Sequence, residues 1–187
     1  RPLEINWISE NADAILETWF LGVEAGNALA DIISGDFNPS GKLTVTFPRN
    51  VGQIPIYYNH LNTGRPLHEN PTEHYRSHYL DSSNEPLFPF GFGLSYTKFE
   101  YSNFSLSKNK IAFSDELIAE VDVKNIGDIA GEEIVQLYIH DKVATISRPV
   151  KELKAFKKIY LASGETKKVE FNLSAEDFKY YDKNKEW

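Results

Sequence analysis

Four carboxylates in or near predicted loops could do acid–base or nucleophilic chemistry: Asp36, Glu69, Glu73 and Asp81. Such groups act together only when folding brings two of them close to one reacting atom. The sequence separation of these acids does not specify a distance between them. Because a charged loop residue is ordinarily solvated, we interpret these four as surface groups rather than as a catalytic pair.

Four histidines lie in the same region: His60, His68, His74 and His78. His74 and His78 are four residues apart, which on a helix would place both on one face beside Glu73 and could bind zinc. The spacing differs from the HExxH pattern, and Pro71, Ser77 and Tyr79 favour irregular or extended backbone. We therefore predict polar loop residues, with no metal and no cofactor.

Arg65, Tyr75, Arg76 and Tyr79 are the stronger candidates for binding a polar ligand. Aromatic faces stack on sugar rings, and arginine donates hydrogen bonds to hydroxyl or carboxyl oxygens. These side chains could equally hold the long loop against the β domain that follows it, as in most ordered long loops. Both interpretations remain open at the level of sequence.

Composition limits the classes of protein. The 187 residues are 41% hydrophobic and 13% aromatic, which is enough for a packed core. The net charge of −7 argues against non-specific binding of nucleic acid, which needs a basic surface, and no apolar run is long enough to cross a membrane. The chain lacks cysteine and methionine and begins with Arg1. We therefore expect a fragment of a larger protein, with no thiol chemistry.

Residues 1–50 have the pattern of an α/β sheet. LEINWI and LTVTF predict strands, and AILETWF predicts either a buried strand or the start of a helix. GNALADIISG predicts a helix that ends at Gly35, and DFNPSGK predicts a turn. Residues 51–98 then form a long loop region rich in Pro, Asn, His and Tyr.

Residues 99–187 predict an all-β domain. ELIAEVDVKN and KKVEFNL alternate apolar and polar residues, and EEIVQLYIHD and KELKAFKKIYL are further strands. NIGD and ASGET predict turns, and SAEDF predicts a single helical turn with a serine cap. Strands at this spacing indicate a sandwich of the immunoglobulin or fibronectin type III kind.

The run PLFPFGFGLSYTKF, residues 86–99, is too apolar for a solvated linker and too rich in Pro and Gly for a long helix. We predict a rigid joint between the two domains, whose aromatic rings bury area on both sides. A local aromatic cluster is the other interpretation.

Five segments in order resemble the C-terminal third of glycoside hydrolase family 3, of the β-glucosidase type. The segments are GDFNPSGKLTVTFPR, IPIYYNHLNTGRP, PLFPFGFGLSYTKF, VDVKNIGDIAGEEIVQLYIHD and RPVKELKAFKKIYLASGET. The resemblance covers essentially the whole chain. It implies an α/β fragment plus an all-β part, namely the C-terminal piece of an α/β sandwich and then a fibronectin type III-like (immunoglobulin-like) β-sandwich.

The resemblance implies three regions. Residues 1–50 are the end of the α/β sandwich domain, and residues 51–98 are the connecting loop and aromatic joint. Residues 99–187 are the fibronectin-like domain. The chain stops at Trp187, before the closing strand that family members usually have. An unpaired edge would then be exposed, and another chain could supply the missing strand.

The parent is then expected to be a retaining glycosidase that cleaves terminal β-linked sugars with two carboxylates about 5 Å apart. In the family both carboxylates lie upstream of the part matched here, so the resemblance implies no catalytic residue in this chain. The chain alone is expected to be inactive. Arg65, Tyr75, Arg76 and Tyr79 become candidates for the rim of the parent's active site.

The expected partners are the upstream barrel and sandwich domains of the same parent chain, a glycoside or oligosaccharide substrate, and a second copy through exposed edges. We expect neither nucleic acid nor a membrane as a partner. We expect a periplasmic or secreted location. A different hypothesis is a carbohydrate-binding or protein-interaction β-sandwich. Carbohydrate binding predicts a planar row of exposed aromatics on one sheet, and the sequence contains no clear row. The strand residues Tyr138 and Tyr160 are its candidates.

Overall fold

The computed structural model describes residues 2–66 and 75–184. Helix α1 spans Asn6–Asn11, α2 spans Ala25–Ser34 and α3 spans Ala175–Phe178, and a short 3-10 helix spans Val51–Gln53. The strands are β1 Phe99–Leu106, β2 Leu117–Asn125, β3 Gly131–Ile139, β4 Glu152–Leu161 and β5 Thr166–Leu173. Within the described residues, no helix has both the length and the apolar character needed to cross a membrane.

Two compact units divide the chain. The first comprises Arg1–Leu29, Lys42–Phe92 and His140–Glu152. The second comprises Ala30–Gly41, Gly93–Ile139 and Leu153–Trp187. Each unit is therefore assembled from segments that are distant in sequence, and helix α2 contributes residues to both.

The second unit contains a β-sandwich. One sheet has the strand order β1-β2-β5, and the other pairs β3 with β4. All the pairs in the first sheet are antiparallel, with Ala119 opposite Phe171 and Val121 opposite Val169. This register aligns the apolar positions of β2 and β5 on one face, as their period-two alternation predicts.

The core of the sandwich draws on both sheets. Its buried members are Ala119, Val123, Val135, Leu161, Val169 and Phe171. The four predicted strand segments at β2, β3, β4 and β5 are confirmed, and Leu117 and Leu173 are also buried. Alternation of apolar side chains was sufficient for β2 and β5, because each of these strands has one face in the core and the other nearer to solvent.

A fully buried amide joins the turns at one end of the sandwich. Asn125 is 0% exposed, and its side chain accepts a 2.6 Å hydrogen bond from the Thr97 hydroxyl. The same amide donates to the carbonyls of Ile129 at 2.8 Å and Leu161 at 3.2 Å. Because a buried amide without partners is costly, these bonds specify how the turns pack.

Two of the helical predictions are confirmed. Helix α2 ends where Gly35 adopts a φ of +86°, the left-handed conformation that glycine tolerates. Helix α3 begins after Ser174, and the main-chain N–H of Ser174 donates a 2.7 Å hydrogen bond to the side chain of Asp177. This reciprocal capping box is the arrangement that SAEDF predicts.

Three predictions for the first unit are wrong or incomplete. The segment LEINWI was expected to be a strand, but α1 begins within it at Asn6. Local bonds favour the helix, since the N–H of Ser9 donates to the Ile5 carbonyl at 2.9 Å and the Ser9 hydroxyl donates to the Asn6 carbonyl. The segment AILETWF is neither strand nor helix. Within the described residues, its backbone does not pair with another strand.

LTVTF was expected to be a regular strand, but it forms only an isolated bridge, between Phe47 and Phe88. Its partner is the Phe-Pro-Phe-Gly run, because the N–H of Leu43 donates to the Phe92 carbonyl at 2.7 Å and the N–H of Phe47 donates to the Phe88 carbonyl at 2.8 Å. Pro89 lies in the middle of this pairing and has no N–H to donate, so the ladder is interrupted.

The C-terminal part of the PLFPFGFGLSYTKF run lies in the second unit. There the side chain of Asn38 accepts hydrogen bonds of 2.8 Å from the Ser95 hydroxyl and from the N–H of Tyr96. Its amide also donates to the Ala130 carbonyl at 3.0 Å. The predicted turn DFNPSGK thus anchors this segment, and the role of the run as an interdomain joint stays a prediction.

Candidate functional site

The first unit contains a cleft of about 710 Å³. A cavity of this size falls in the range of small-molecule sites. Aromatic and polar side chains line it, among them Tyr57, Tyr58, His60, His78 and Tyr79. This composition suits a ligand with both hydroxyl groups and an apolar face.

The inner wall of the cleft is held by Gln53, which is 2% exposed. Its carbonyl oxygen accepts a 2.7 Å hydrogen bond from the N–H of Arg49, and its amide donates to the Ser83 carbonyl at 2.9 Å. Buried Thr46 accepts from the N–H of Phe90 at 3.3 Å. These bonds tie the 3-10 helix and the strand-like segment at Thr46 to the loop after residue 82.

An aromatic stack supports the same wall. The rings of Tyr58 and Phe90 lie 4.2 Å apart between centroids at an interplanar angle of 15°. Phe88 stacks on Phe92 at 5.3 Å and meets Phe47 edge-on at 6.4 Å. The aromatic residues Phe88, Phe90 and Phe92 thus pack locally within the first unit.

Of the four residues predicted to bind a ligand, Tyr79 lines the cleft and is 43% exposed. Tyr75 and Arg76 precede Tyr79 by four and three residues and Arg65 precedes it by fourteen, and none of these three belongs to the lining of the cleft. The carbonyl of Arg65 accepts a 2.8 Å hydrogen bond from the N–H of Ser77, and Pro66 bridges Ser77 in parallel. The structure thus brings the Arg65 segment next to the Tyr75–Tyr79 segment.

Tyr75 and Arg76 differ in their surroundings. Tyr75 is 84% exposed and has a φ of +67°, an uncommon conformation for a bulky residue. Arg76 is half-buried, and its carbonyl lies 2.8 Å from Nδ1 of His78. The ring of His78 is therefore oriented by a contact with the nearby backbone.

Asn84 fixes the position of Tyr79, although the sequence did not single it out. Its side-chain oxygen accepts a 3.1 Å hydrogen bond from the N–H of Tyr79, and its amide donates to the Ser77 carbonyl at 3.0 Å. An asparagine in a loop commonly bonds nearby backbone. That tendency was the signal available in the sequence, but it does not identify which backbone groups are bonded.

A distant segment closes another side of the cleft through Val150 and Lys151. The N–H of Val150 donates a 2.9 Å hydrogen bond to the His60 carbonyl, and Leu61 bridges Pro149. Arg148 stabilises the segment that contains Val150, since its guanidinium donates a 2.7 Å hydrogen bond to the Glu152 carboxylate. Sequence reasoning assigned this stretch to the β domain and missed its contribution.

The acid and metal candidates have separate outcomes. Asp36 accepts a 2.6 Å hydrogen bond from the Ser34 hydroxyl near the end of α2, and Asp81 is exposed on its loop. Glu69, Glu73, His68 and His74 lie outside the described residues. Across residues 2–66 and 75–184, no group of three or more His, Asp or Glu side chains has the geometry to hold a metal ion.

The aromatics proposed for a carbohydrate-binding sheet are divided. Tyr160 is exposed on β4, and Phe156 is exposed four residues earlier on the same strand. Tyr138 is half-buried, and its hydroxyl lies 2.5 Å from the side-chain oxygen of Gln136. Carbohydrate binding by this sheet stays a prediction.

Family comparison assigns both parts of the chain. Residues 1–96 match the glycosyl hydrolase family 3 C-terminal domain. The chain belongs to this family. Residues 133–187 match a fibronectin type III-like domain. The resemblance noted from the sequence motifs is therefore confirmed, as is the fold class of an α/β piece followed by a fibronectin-like sandwich.

Similar proteins agree with this membership. The chain is 50% identical over 181 residues to a periplasmic β-glucosidase from Salmonella typhimurium and 45% identical over 181 residues to a β-xylosidase from Formosa agariphila. These matches cover 97% and 95% of the chain, and 24% of each relative. The chain thus spans about a quarter of the length of these relatives.

A solved structure shows the same fold at high identity. A β-glucosidase from Listeria innocua in complex with glucose superposes with a TM-score of 0.95 at 53% identity. The match covers 100% of this chain and 26% of that one. The similarity therefore extends over the α/β piece and the sandwich together.

Proposed function

We propose that this chain is the C-terminal structural portion of a retaining, β-glucosidase-like family 3 glycoside hydrolase, which hydrolyses terminal β-linked sugars. The observation that carries the proposal is 53% identity and a TM-score of 0.95 to a β-glucosidase, over the whole chain but a quarter of that enzyme. The chain supplies scaffold and part of the substrate rim. The nucleophile and the acid/base belong to the upstream part of the parent.

The cleft of the first unit supports a role at the substrate rim for Arg65, Tyr75, Arg76 and Tyr79. Tyr79 lines the cleft, and the backbone bond between Arg65 and Ser77 keeps the two loop segments adjacent. Tyr75 presents an exposed ring beside them. A stacking ring and a charged donor on two adjacent loop segments suit recognition of sugar hydroxyls.

The partners of the proposed enzyme are its own upstream barrel and sandwich domains, and a second copy of the chain through exposed sheet edges. Its location is periplasmic or secreted. The periplasmic name of the Salmonella relative supports that location, and the short share of each relative that is matched supports the upstream domains.

The test is hydrolysis of a panel of aryl β-glycosides by the purified 187-residue chain and by a longer protein that carries it after a family 3 barrel. We expect the longer protein to be active and the chain alone to be inactive. Activity of the chain alone would overturn the proposal, because a carboxylate pair would then lie within these residues. Asp81 and Asp36 would be the first acids to replace.

A further inference from the structure

Two histidines, His60 and His78, line the cleft of the first unit. Nδ1 of His60 lies 3.1 Å from the Leu61 carbonyl, and Nδ1 of His78 lies 2.8 Å from the Arg76 carbonyl. A carbonyl oxygen can only accept a hydrogen bond, so Nδ1 carries the proton in both rings. Nε2 of each neutral ring then has a lone pair that accepts a hydrogen bond.

Both Nε2 atoms are available to a ligand. Across residues 2–66 and 75–184, the contact at Nδ1 is the only hydrogen bond that either histidine side chain makes. Both residues are also exposed. The cleft therefore contains two acceptors of the same kind that no described group occupies.

The backbone at both histidines is held by residues that are not their neighbours in sequence. The His60 carbonyl accepts a 2.9 Å hydrogen bond from the N–H of Val150. The Asn84 side chain bonds the backbone on both sides of His78, donating to the carbonyl before it at 3.0 Å and accepting from the N–H after it at 3.1 Å. A fixed backbone and an oriented ring make each histidine a preorganised binding group.

Exposed tyrosine rings lie in the same lining, at Tyr57 and Tyr79. A stacking ring beside a hydrogen-bond acceptor suits a ligand ring that carries hydroxyl groups. A methyl ether of the same shape has no proton to donate, so it would leave the Nε2 acceptors without a partner. The cleft should therefore discriminate between a hydroxyl group and an ether on the ligand.

We propose that His60 and His78 select substrates by hydroxyl groups on the leaving part, which is the portion of the substrate beyond the cleaved bond. This inference rests on the proposed function, in which the carboxylates at the cleaved bond belong to the upstream part of the parent. The cleft of this chain then contacts the leaving part, which is either a second sugar or a phenol. Nε2 of the histidines accepts hydrogen bonds from its hydroxyl groups.

The test uses a longer family 3 protein that carries this chain and three substrates: 4-hydroxyphenyl β-glucoside, 4-methoxyphenyl β-glucoside and cellobiose. The two aryl leaving groups are similar in size and acidity and differ chiefly in the hydroxyl donor. The double substitution His60→Asn with His78→Asn removes both Nε2 acceptors, because an asparagine amide reaches only the position of Nδ1. It should lower kcat/KM about fivefold for a substrate whose leaving part has a hydroxyl, as expected for one lost hydrogen bond, and leave 4-methoxyphenyl β-glucoside unchanged.

Two matched variants separate recognition from a structural effect. The double substitution His60→Gln with His78→Gln should retain most of the kcat/KM, because glutamine extends to the position of Nε2 and offers a carbonyl oxygen there. His140→Asn makes the same change at an exposed histidine outside the lining and should have no effect. A loss confined to the 4-hydroxyphenyl substrate identifies a phenol as the ligand, and a loss confined to cellobiose identifies a sugar.

An equal loss for the methoxyphenyl substrate, or no loss for either substrate with a hydroxyl, would overturn the inference while the proposed function stands. An unchanged longer protein that hydrolyses none of the three would instead overturn the proposed function. Binding is tested without activity by NMR titration of the ¹⁵N-labelled 187-residue chain with hydroquinone and with methyl β-glucoside. At least one of them should shift the amides of residues 60 and 77–79, and an absence of shifts with both would overturn the inference.

Discussion

The hydroxyl of Tyr101 on β1 donates a 2.8 Å hydrogen bond to the carboxylate of Glu133 on β3. The bond connects the two sheets of the sandwich, and Glu133 is buried. Burial first, and then the charge of Glu133 and the hydrogen bond to it, raise the pKa of Tyr101 well above its usual value. The neutral phenol is therefore the form that the folded state favours.

Stability should consequently fall in alkaline solution. Below about pH 10 the phenol is neutral in both the folded and the unfolded chain, so the contribution of this group is fully present. Above that pH the unfolded chain loses the proton while the folded chain retains it, and unfolding becomes easier. Tyr101→Phe should cost about 1 kcal/mol at pH 7 and should flatten the decline above pH 10.

Urea unfolding at pH 7 and at pH 11 measures both effects. Tyr160→Phe is the control, because Tyr160 is an exposed tyrosine on a strand of the same unit. An equal alkaline decline in the unchanged chain and in Tyr101→Phe would contradict this assignment.

Gly127 has no room for a side chain in the turn between β2 and β3. A Cβ atom there would lie 2.3 Å from Oγ1 of Thr97 and 3.1 Å from the main-chain nitrogen of Lys98. Thr97 cannot move away freely because its hydroxyl bonds the buried Asn125. Gly127→Ala should therefore destabilise the sandwich by about 1 to 3 kcal/mol.

Thermal unfolding of Gly127→Ala beside Gly41→Ala checks this expectation. A Cβ at Gly41 would meet no atom within 4 Å, so the control tests the loss of glycine without the clash. If both variants melted at the temperature of the unchanged chain, the close approach to Thr97 would be absent in solution.

Lys157 protects the open edge of β5. The hydrogen-bonded pairs of β2 and β5 fall at odd positions such as Asn125 and Glu165, so the carbonyl of Glu170 points away from β2. The ammonium of Lys157 donates to that carbonyl and lies 5.5 Å from the centroid of the Phe171 ring. A charged side chain over an edge hinders pairing with another strand.

Lys157→Ala should therefore increase self-association through this edge, detected by sedimentation velocity over a range of protein concentrations. Lys158→Ala is the control, because the neighbouring Lys158 pairs with Glu132 at 2.5 Å instead. Identical sedimentation of the two variants would remove the protective role of Lys157.

The loop residues should affect substrate affinity in a longer active enzyme that carries this chain. Arg65→Ala and Tyr79→Ala should each raise KM about tenfold with little change in kcat, because a lost stacking or hydrogen-bonding contact weakens ground state and transition state alike. Asn84→Ala should act similarly, since its side chain holds Tyr79 and Ser77. Steady-state kinetics with an aryl β-glucoside measure these effects.

Lys124→Ala serves as the kinetic control because Lys124 is an exposed residue of β2 in the other unit. Unchanged KM in the Arg65, Tyr79 and Asn84 variants would exclude this loop from the substrate rim. It would not affect the family membership, which depends on the whole chain.

Much of the sandwich could be predicted from sequence because its signals are local. Val169, Phe171 and Leu173 alternate with polar residues, so the strand and its buried face follow from period-two spacing. The capping box at Ser174 and the glycine at the end of α2 are likewise signals within a few residues. The candidate site was predicted less completely: Tyr79 was identified, but Asn84, Gln53 and Val150 were not.

The amino-acid sequence by itself determined four of the sandwich strands, β2 to β5, the end of α2 at Gly35 and the family to which the chain belongs. Tertiary structure decided that LEINWI leads into a helix, that Leu43–Phe47 pairs irregularly with the Phe-Pro-Phe-Gly run, and that Val150 reaches His60. The physical reason for this difference is how far along the chain each group finds its hydrogen-bond or packing partner. Alternation and caps are satisfied by near neighbours, whereas the backbone groups of the cleft find their partners tens of residues away.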